Sequence, residues 1–186
     1  MERAQTMVAA GGEVWWGDET TLREFPPLRA AWSKRGQQTI VTISGRNARR
    51  VVHGALEART GELVRVVCER HRADDALALV AALGAVRPAV SKLLIWDNAP
   101  PHKPHRVRDA AAAVGIEVVF LPFRSPELNP CEDLWRGLKQ EIAANRAYPT
   151  VDALAERAVT WLDSLSADER LRRCGLHSSK FAWLPT

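Results

Sequence analysis

The chain has 186 residues, of which 46% are hydrophobic, and its formal net charge is +4. This length and hydrophobic content suit one globular domain with a core of its own. No apolar run approaches the ~18 residues of a membrane-spanning helix, and the N-terminus lacks the apolar stretch of a signal peptide. We therefore expect a cytoplasmic protein without a membrane partner.

The cysteines and the basic residues narrow the possible partners. Three widely spaced cysteines form no CxxC pair, which disfavours a zinc module or a disulfide framework. The positive charge favours a polyanion such as DNA, although the arginine-rich composition of a GC-rich genome would also explain it. Basic residues cluster at 46–50, 65–72 and 103–108. From the first and third clusters and the adjoining loop, we predict the DNA-binding residues Arg46, Arg49, Arg50, His102, Lys103 and Arg106.

The first half of the chain reads mainly as strands. Residues 22–38 look irregular because they contain two adjacent prolines and an Arg-Gly turn signal. A hairpin is predicted where two apolar runs flank Thr60-Gly61, and an Ala/Leu-rich segment before Pro88 predicts a helix. The predicted elements are strands at 13–18, 39–43, 51–56 and 63–67 and a helix at about 74–86.

The second half alternates helix and strand. Pro104 favours a helix start, Gly115 favours its end, and Ser166 with Glu169 forms a capping box at the last helix. The predicted elements are strands at 93–97 and 116–120 and helices at 104–114, 126–144, 151–165 and 167–174. Antiparallel strands followed by a βαβα run predict an α/β sheet of mixed direction, flanked by helices.

Two acidic residues follow short apolar runs that read as strands. Asp18 follows VWWG, and Asp97 follows LLIW. A carboxylate at the end of a buried strand lies at the rim of the sheet, where open α/β sheets bind ligands. Each also has an ordinary explanation, since Asp18 could be a strand-ending turn residue and Asp97 could start an Asx turn with Asn98.

The third candidate, Glu132, opens a helix after the loop SPELNPC. At about 100° per residue, the core face of this helix comprises Cys131, Leu134, Trp135, Leu138 and Ile142. Glu132 borders that face, whereas Asp133 points away from its centre, so we predict that Glu132 is the ligand. The alternative for Glu132 is an i,i+4 pair with Arg136. Three carboxylates at one site are hard oxygen ligands suited to Mg²⁺ or Mn²⁺.

Two further side chains near these acids have weaker predictions. Glu19 adjoins Asp18, but alternation along a strand aims it at the opposite face, so we give it a secondary role. His102 and His105 form an HxxH pair that Pro104 interrupts, which disfavours a zinc site within that pair. His102 could contact substrate or order the loop that follows Asp97.

Asp97 and Glu132 each lie in a longer sequence block, WDNAPPH at residues 96–102 and LPFRSPELNPCEDLW at residues 121–135. These blocks resemble the signature blocks of mariner-superfamily transposases, and most closely those of the bacterial insertion-sequence branch. That branch shares the spacing of 34 residues between Asp97 and Glu132. GDET at residues 17–20 resembles the family's first acidic block, and the resemblance covers roughly residues 13 to 165.

The resemblance implies a ribonuclease-H-like fold and the catalytic domain of a DDE-type transposase. In such a domain Asp18, Asp97 and Glu132 would bind two Mg²⁺ or Mn²⁺ ions for cleavage at transposon ends and strand transfer to target DNA. We expect Asn98 and Asn129, which lie in the same blocks, to support these ligands. The alternatives are a ribonuclease-H-like nuclease or junction resolvase, and a non-catalytic DNA-binding or dimerisation module.

The resemblance also bears on domain organisation and partners. We expect a single catalytic domain over residues 1–186, with a core at about 13–165 and a helical C-terminal extension at 166–186. Family members carry N-terminal helix-turn-helix modules, which we expect to be absent because only about 12 residues precede the first predicted strand. We expect a homodimer, and one interpretation is that a separate reading frame encodes the helix-turn-helix modules. A degenerate copy or an excised domain are the alternatives.

Overall fold

A mixed five-stranded sheet forms the centre of the computed structural model, which describes residues 2–37, 40–43 and 45–182. The strand order is β3-β2-β1-β4-β5. β1 pairs antiparallel with β2, and β2 pairs antiparallel with β3, whereas β4 is parallel to both β1 and β5. The strands are β1 (Glu13–Arg23), β2 (Arg49–Glu57), β3 (Leu63–Cys68), β4 (Lys92–Trp96) and β5 (Ile116–Phe120). The predicted mixed α/β sheet is confirmed.

Helices cover both faces of the sheet. One face packs against α2 (Ala73–Ala85) and α3 (His105–Ala113). The other face packs against α1 (Glu2–Ala9), α4 (Cys131–Leu138), α5 (Val151–Ser164) and α6 (Ala167–Arg173), and a π-helix (Lys139–Ala143) continues α4. Because both faces are buried, β4 is apolar along most of its length instead of alternating. No helix in the described part of the chain is long and apolar enough to cross a membrane.

Two predictions about β1 and the segment after it are wrong. β1 does not end at Asp18 but continues to Arg23, because β2 pairs with it as far as Arg23↔Arg49. Residues 40–43 of the strand predicted at 39–43 have no strand structure, and Thr39 lies outside the described residues. Residues 40–43 pair with no strand of the sheet, and Ile40 is exposed, so the β-branched run lacks the partner that a strand needs.

The single helix predicted at 126–144 is also wrong, because it is broken near its start. A 3-10 turn (Pro126–Leu128) comes first, and α4 begins only at Cys131. Asn129 between them is extended, as expected for a residue before proline. Its side-chain Oδ1 accepts a 3.1 Å hydrogen bond from the backbone N–H of Cys131, the first residue of α4.

Residues before 13 and after 165 also contribute side chains to the hydrophobic core. The helix α1, which the sequence analysis did not predict, buries Ala4 and Val8 against the sheet. In the C-terminal extension, the predicted capping box of Ser166 and Glu169 is confirmed at α6. Phe181 lies on the same core, where its ring meets the ring of Trp16 edge to face at 5.8 Å.

Candidate active site

Pairing between β1 and β4 brings the first two acids together. The last paired residues in this register are Trp16 and Ile95. Two residues further along each chain stand Asp18 and Asp97, so both carboxylates lie at the level where β4 ends and its loop begins. Asp18 remains inside β1, opposite Gly54 of β2, and is 5% exposed. The sheet therefore fixes Asp18 rigidly, whereas Asp97 opens a loop.

A close helix–strand approach brings Glu132 to the same place. A Cβ atom on Gly54 would lie 2.8 Å from the ring of Trp135, so only glycine lets α4 pack this closely over the middle of β2. The predicted core face of the helix is confirmed, since its five apolar residues are all buried. Glu132 borders that face and is partly buried. Asp133 instead forms an ion pair with Arg136 at 2.5 Å, the pairing considered for Glu132.

The three predicted ligands Asp18, Asp97 and Glu132 line one cleft of about 270 Å³. Asn98 and Asn129 line it too. Asn129 is buried, and its Nδ2 donates a 2.9 Å hydrogen bond to the carbonyl oxygen of Gly17. This bond joins the start of α4 to β1, so Asn129 is positioned to set the separation of Glu132 and Asp18.

The electrostatics of the cleft reflect carboxylates held close together. Burial, followed by the charges of Glu132 and Glu19, raises the pKa of Asp18 to about 9. Burial likewise raises the pKa of Glu132. Burial alone would raise the pKa of Asp97, but the hydrogen bond with His102 and the charge of that ring outweigh it, so this pKa lies below its usual range. Ionising all three carboxylates of the cleft is therefore unfavourable until a cation offsets their charge.

The donor set fits a hard divalent cation. The Oδ2 atom of Asp18 is buried without a hydrogen-bond partner among the described residues, although buried polar atoms are nearly always satisfied. The carboxylates of Asp97 and Glu132 and the amide of Asn98 supply further oxygen atoms around the same cleft. Oxygen donors of this kind are the ligands that Mg²⁺ and Mn²⁺ prefer.

His102 is buried behind Asp97 and does not face solvent. Its Nδ1 lies 2.7 Å from Oδ1 of Asp97, and its ring stacks on Trp96 with a centroid separation of 3.8 Å. This position does not support the predicted DNA contact by His102, because its ring is fully buried. The alternative considered from the sequence, that His102 orders the loop after Asp97, agrees with these contacts.

Most of the other predicted DNA-binding residues are exposed, but several already have acidic partners. Arg46 pairs with Glu24, Arg50 with Asp152 and Arg106 with Asp74. Such pairs reduce the positive charge that is available to DNA. Arg49 and Lys103 are exposed as well, and Lys103 directly follows the 3-10 turn (Pro100–His102), whose first residue lines the cleft.

The sequence analysis missed several residues around the cleft. Phe123 and Arg124 line it, with the Arg124 guanidinium over the Phe123 ring at 5.2 Å. Arg124 has a φ of 57°, a left-handed conformation that is uncommon outside glycine. The prediction that Glu19 lies on the opposite face is supported by its partner His71, whose Nδ1 is 2.9 Å from Glu19 Oε1. The positive φ and the Glu19–His71 contact depend on tertiary structure and leave no local sequence signal.

Comparisons with known proteins agree with this geometry. Residues 13–155 match the sequence model of a family described as DDE superfamily endonuclease. A 39 kDa protein of the insertion element IS630 from Shigella sonnei is 27% identical over 168 residues. That match covers 89% of this chain and 49% of the relative, so the chain spans about half the length of this relative.

Solved structures of the Mos1 mariner transposase have the same fold. A paired end complex with Mn superposes with a TM-score of 0.71 at 18% identity, covering 98% of this chain and 60% of that one. The isolated catalytic domain superposes with a TM-score of 0.64 at 17% identity, covering 98% of this chain and 89% of that one. The predicted ribonuclease-H-like mixed sheet is confirmed.

Proposed function

The chain belongs to the DDE superfamily of endonucleases, and on that premise we propose that it is the catalytic domain of an insertion-sequence transposase. Its reaction would be cleavage of DNA at transposon ends, followed by joining of the freed 3′ strand to target DNA. One observation carries the proposal: carboxylates from β1, from the loop after β4 and from α4 line a single cleft. The matches to an IS630 protein and to Mos1 support it.

We propose that Asp18, Asp97 and Glu132 hold two Mg²⁺ or Mn²⁺ ions. When bound, such a pair supplies an activated water and stabilises the leaving 3′ oxygen of a phosphodiester. The protein's own part is to set the ligand geometry: β1 holds Asp18, His102 orients Asp97, and Asn129 holds α4 with Glu132 against the sheet. The capture of Mos1 with Mn supports the use of a divalent ion.

We propose DNA as the substrate, bound over the cleft by exposed basic side chains such as Lys103. Phe123 is 68% exposed beside the carboxylates, where an aromatic ring could stack on a base of an opened duplex. Pairing of two copies and a separately encoded helix-turn-helix partner stay predictions. The capture of Mos1 as a paired end complex supports the first of these.

The test uses metal-dependent nicking of supercoiled plasmid, together with joining of a labelled 3′-hydroxyl oligonucleotide to that plasmid. Asp97→Asn and Glu132→Gln should abolish both reactions while leaving the circular dichroism spectrum and melting temperature near wild type. Asp133→Asn is the matched control, because it makes a similar change one residue away and outside the cleft. Full activity of Glu132→Gln would refute the proposed site, and nicking without any joining would favour a simple nuclease.

A further inference from the structure

A second cluster of metal-ligating side chains lies on the opposite face of the sheet from the Asp18 cleft. It consists of Glu19 on β1, His71 in the turn before α2, and His102 after β4. One ligand atom from each residue lies within 4.8 Å of the other two. His102 is fully buried, and the other two side chains are largely buried. The residues come from three separate parts of the chain, so no local motif marks them.

Each member of the cluster has one partnered atom and one unpartnered atom. Nδ1 of His102 lies 2.7 Å from Asp97 Oδ1, and Nδ1 of His71 lies 2.9 Å from Glu19 Oε1. The atoms His102 Nε2, His71 Nε2 and Glu19 Oε2 are buried without a hydrogen-bond partner among the described residues. His102 Nε2 and Glu19 Oε2 are 3.5 Å apart. Because leaving a buried polar atom unsatisfied is costly, the neighbouring atoms His102 Nε2 and Glu19 Oε2 point to a ligand beside them, on the side where His71 Nδ1 also lies.

The arrangement matches the surroundings of histidines that bind metals. Such histidines usually use the second ring nitrogen to contact a carboxylate, which fixes the ring orientation. Asp97 supplies that carboxylate for His102, whereas an ion held by Glu19 and His71 would take the place of the present contact between His71 Nδ1 and Glu19. Trp96 stacks on His102 at 3.8 Å, and the His71 and His102 rings lie 5.3 Å apart. The His102 ring is therefore constrained by Trp96 and Asp97 before any ion arrives.

We propose that Glu19, His71 and His102 form a binding site for a first-row transition-metal ion of the Zn²⁺ class, separate from the carboxylate cleft. Two imidazoles and one carboxylate suit Zn²⁺ or Co²⁺ better than Mg²⁺, which prefers oxygen ligands. Tetrahedral zinc with bonds of about 2.0–2.1 Å spaces its ligands by about 3.4 Å. The ligand atoms of the cluster lie within 4.8 Å of one another, so binding requires them to approach by up to about 1.4 Å. Through His102, the ion would hold Asp97 in one orientation.

The experiment isolates this site from the proposed catalytic one. In the double variant Asp18→Asn/Glu132→Gln, which leaves the cluster intact, isothermal titration with Zn²⁺ should show one site in buffer containing excess Mg²⁺. Titration with Co²⁺ should give visible absorption bands of a nitrogen- and oxygen-ligated ion. Adding His71→Ala or Glu19→Gln should weaken binding by more than the roughly 10–100-fold that loss of an outer-shell partner costs.

The matched control is His177→Ala, which removes an exposed histidine far from the cluster in sequence. X-ray absorption at the zinc edge, measured on the double variant itself, should show two imidazoles and no sulfur, so the proposal can be tested even if a ligand variant fails to fold. Absence of Zn²⁺ binding, a thiolate in the spectrum, or unchanged affinity in His71→Ala and Glu19→Gln would overturn it. None of these results bears on strand cleavage by the wild-type protein.

Discussion

The side-chain amide of Asn129 donates a 2.9 Å hydrogen bond to the carbonyl oxygen of Gly17, the residue before Asp18. The carbonyl oxygen of the same side chain accepts a hydrogen bond from the Cys131 backbone N–H, the residue before Glu132. One buried amide thus holds the backbone beside two of the three proposed ligands. The separation of these two carboxylates therefore depends on a third side chain that need not contact substrate.

We predict that Asn129→Ala lowers strand cleavage by roughly 10–100-fold, the range seen when support for a metal ligand is lost. The variant should also be less stable, because it leaves a buried carbonyl and a helix N–H without partners, at about 1–3 kcal/mol each. Plasmid nicking rates and urea unfolding measure the two effects. Asn47→Ala, an exposed control, should change neither. Wild-type nicking by Asn129→Ala would show that the amide does not set the ligand geometry.

Divalent ions should stabilise the folded domain. The carboxylates of the cleft repel one another until a cation neutralises them, and a ligand that binds only the folded state raises its stability by mass action. We expect Mg²⁺ and Mn²⁺ to raise the melting temperature in a concentration-dependent way, and Ca²⁺ to do so without supporting cleavage. Differential scanning calorimetry of the wild type and of Asp18→Asn/Glu132→Gln tests this. An equal shift in both proteins would place the binding outside the cleft.

Asp18 should make the metal-free domain less stable as the pH rises. Its pKa is raised from 3.8 to about 9 by burial and neighbouring carboxylates. Its contribution to stability is therefore fully present below pH 3.8 and declines as the pH rises towards about 9. We predict that Asp18→Asn, which stays neutral, has a higher melting temperature than wild type at pH 8 in EDTA, by about 2–4 °C for each kcal/mol.

The control for this prediction is Asp133→Asn, which changes a partly exposed carboxylate that is paired with Arg136. Its melting temperature should follow the wild-type pH profile. If Asp18→Asn showed the same fall in stability between pH 5 and pH 8 as the wild type, Asp18 would not be the group that titrates.

Local sequence signals predicted much of the fold. The apolar run before Asp97 gave a buried strand, Gly115 ended α3 with a φ of 73°, and Ser166 capped α6. These features depend on neighbouring residues, so a single sequence contains them. The strand predicted at 39–43 fails because a strand needs a partner, and pairing is decided elsewhere in the chain.

The proposed carboxylate site could be predicted because two of its acids stand at the ends of apolar runs and the third borders a helical core face. Its surroundings could not. The contact of Glu19 with His71 and that of Asn129 with Gly17 join residues far apart in sequence. The break in helical structure between Leu128 and Cys131 is a further example. It depends on Pro130 and on the side chain of Asn129, which is hydrogen-bonded to β1.

DNA binding by this chain should be weak, without sequence preference and strongly dependent on salt. The exposed basic side chains can neutralise phosphates. Among the described residues we identify no helix that would enter a DNA groove and contact base edges. We predict that Lys103→Ala lowers the slope of log affinity against log salt by about 1, because Lys103 is exposed and directly follows the 3-10 turn that begins at Pro100, a residue of the cleft wall. Fluorescence anisotropy with a labelled random-sequence duplex, over a series of salt concentrations, measures that slope.

The matched control is Arg172→Ala, which makes the same change in net charge but removes an arginine of α6 that is paired with Asp168 at 2.9 Å. Its slope should equal that of the wild type. Arg106→Ala should fall between the two, since Arg106 lies in the same basic cluster as Lys103 but pairs with Asp74. Equal decreases in slope for Lys103→Ala and Arg172→Ala would mean that the affinity for DNA depends only on the net charge of the protein. The proposed path of DNA over the cleft would then be wrong.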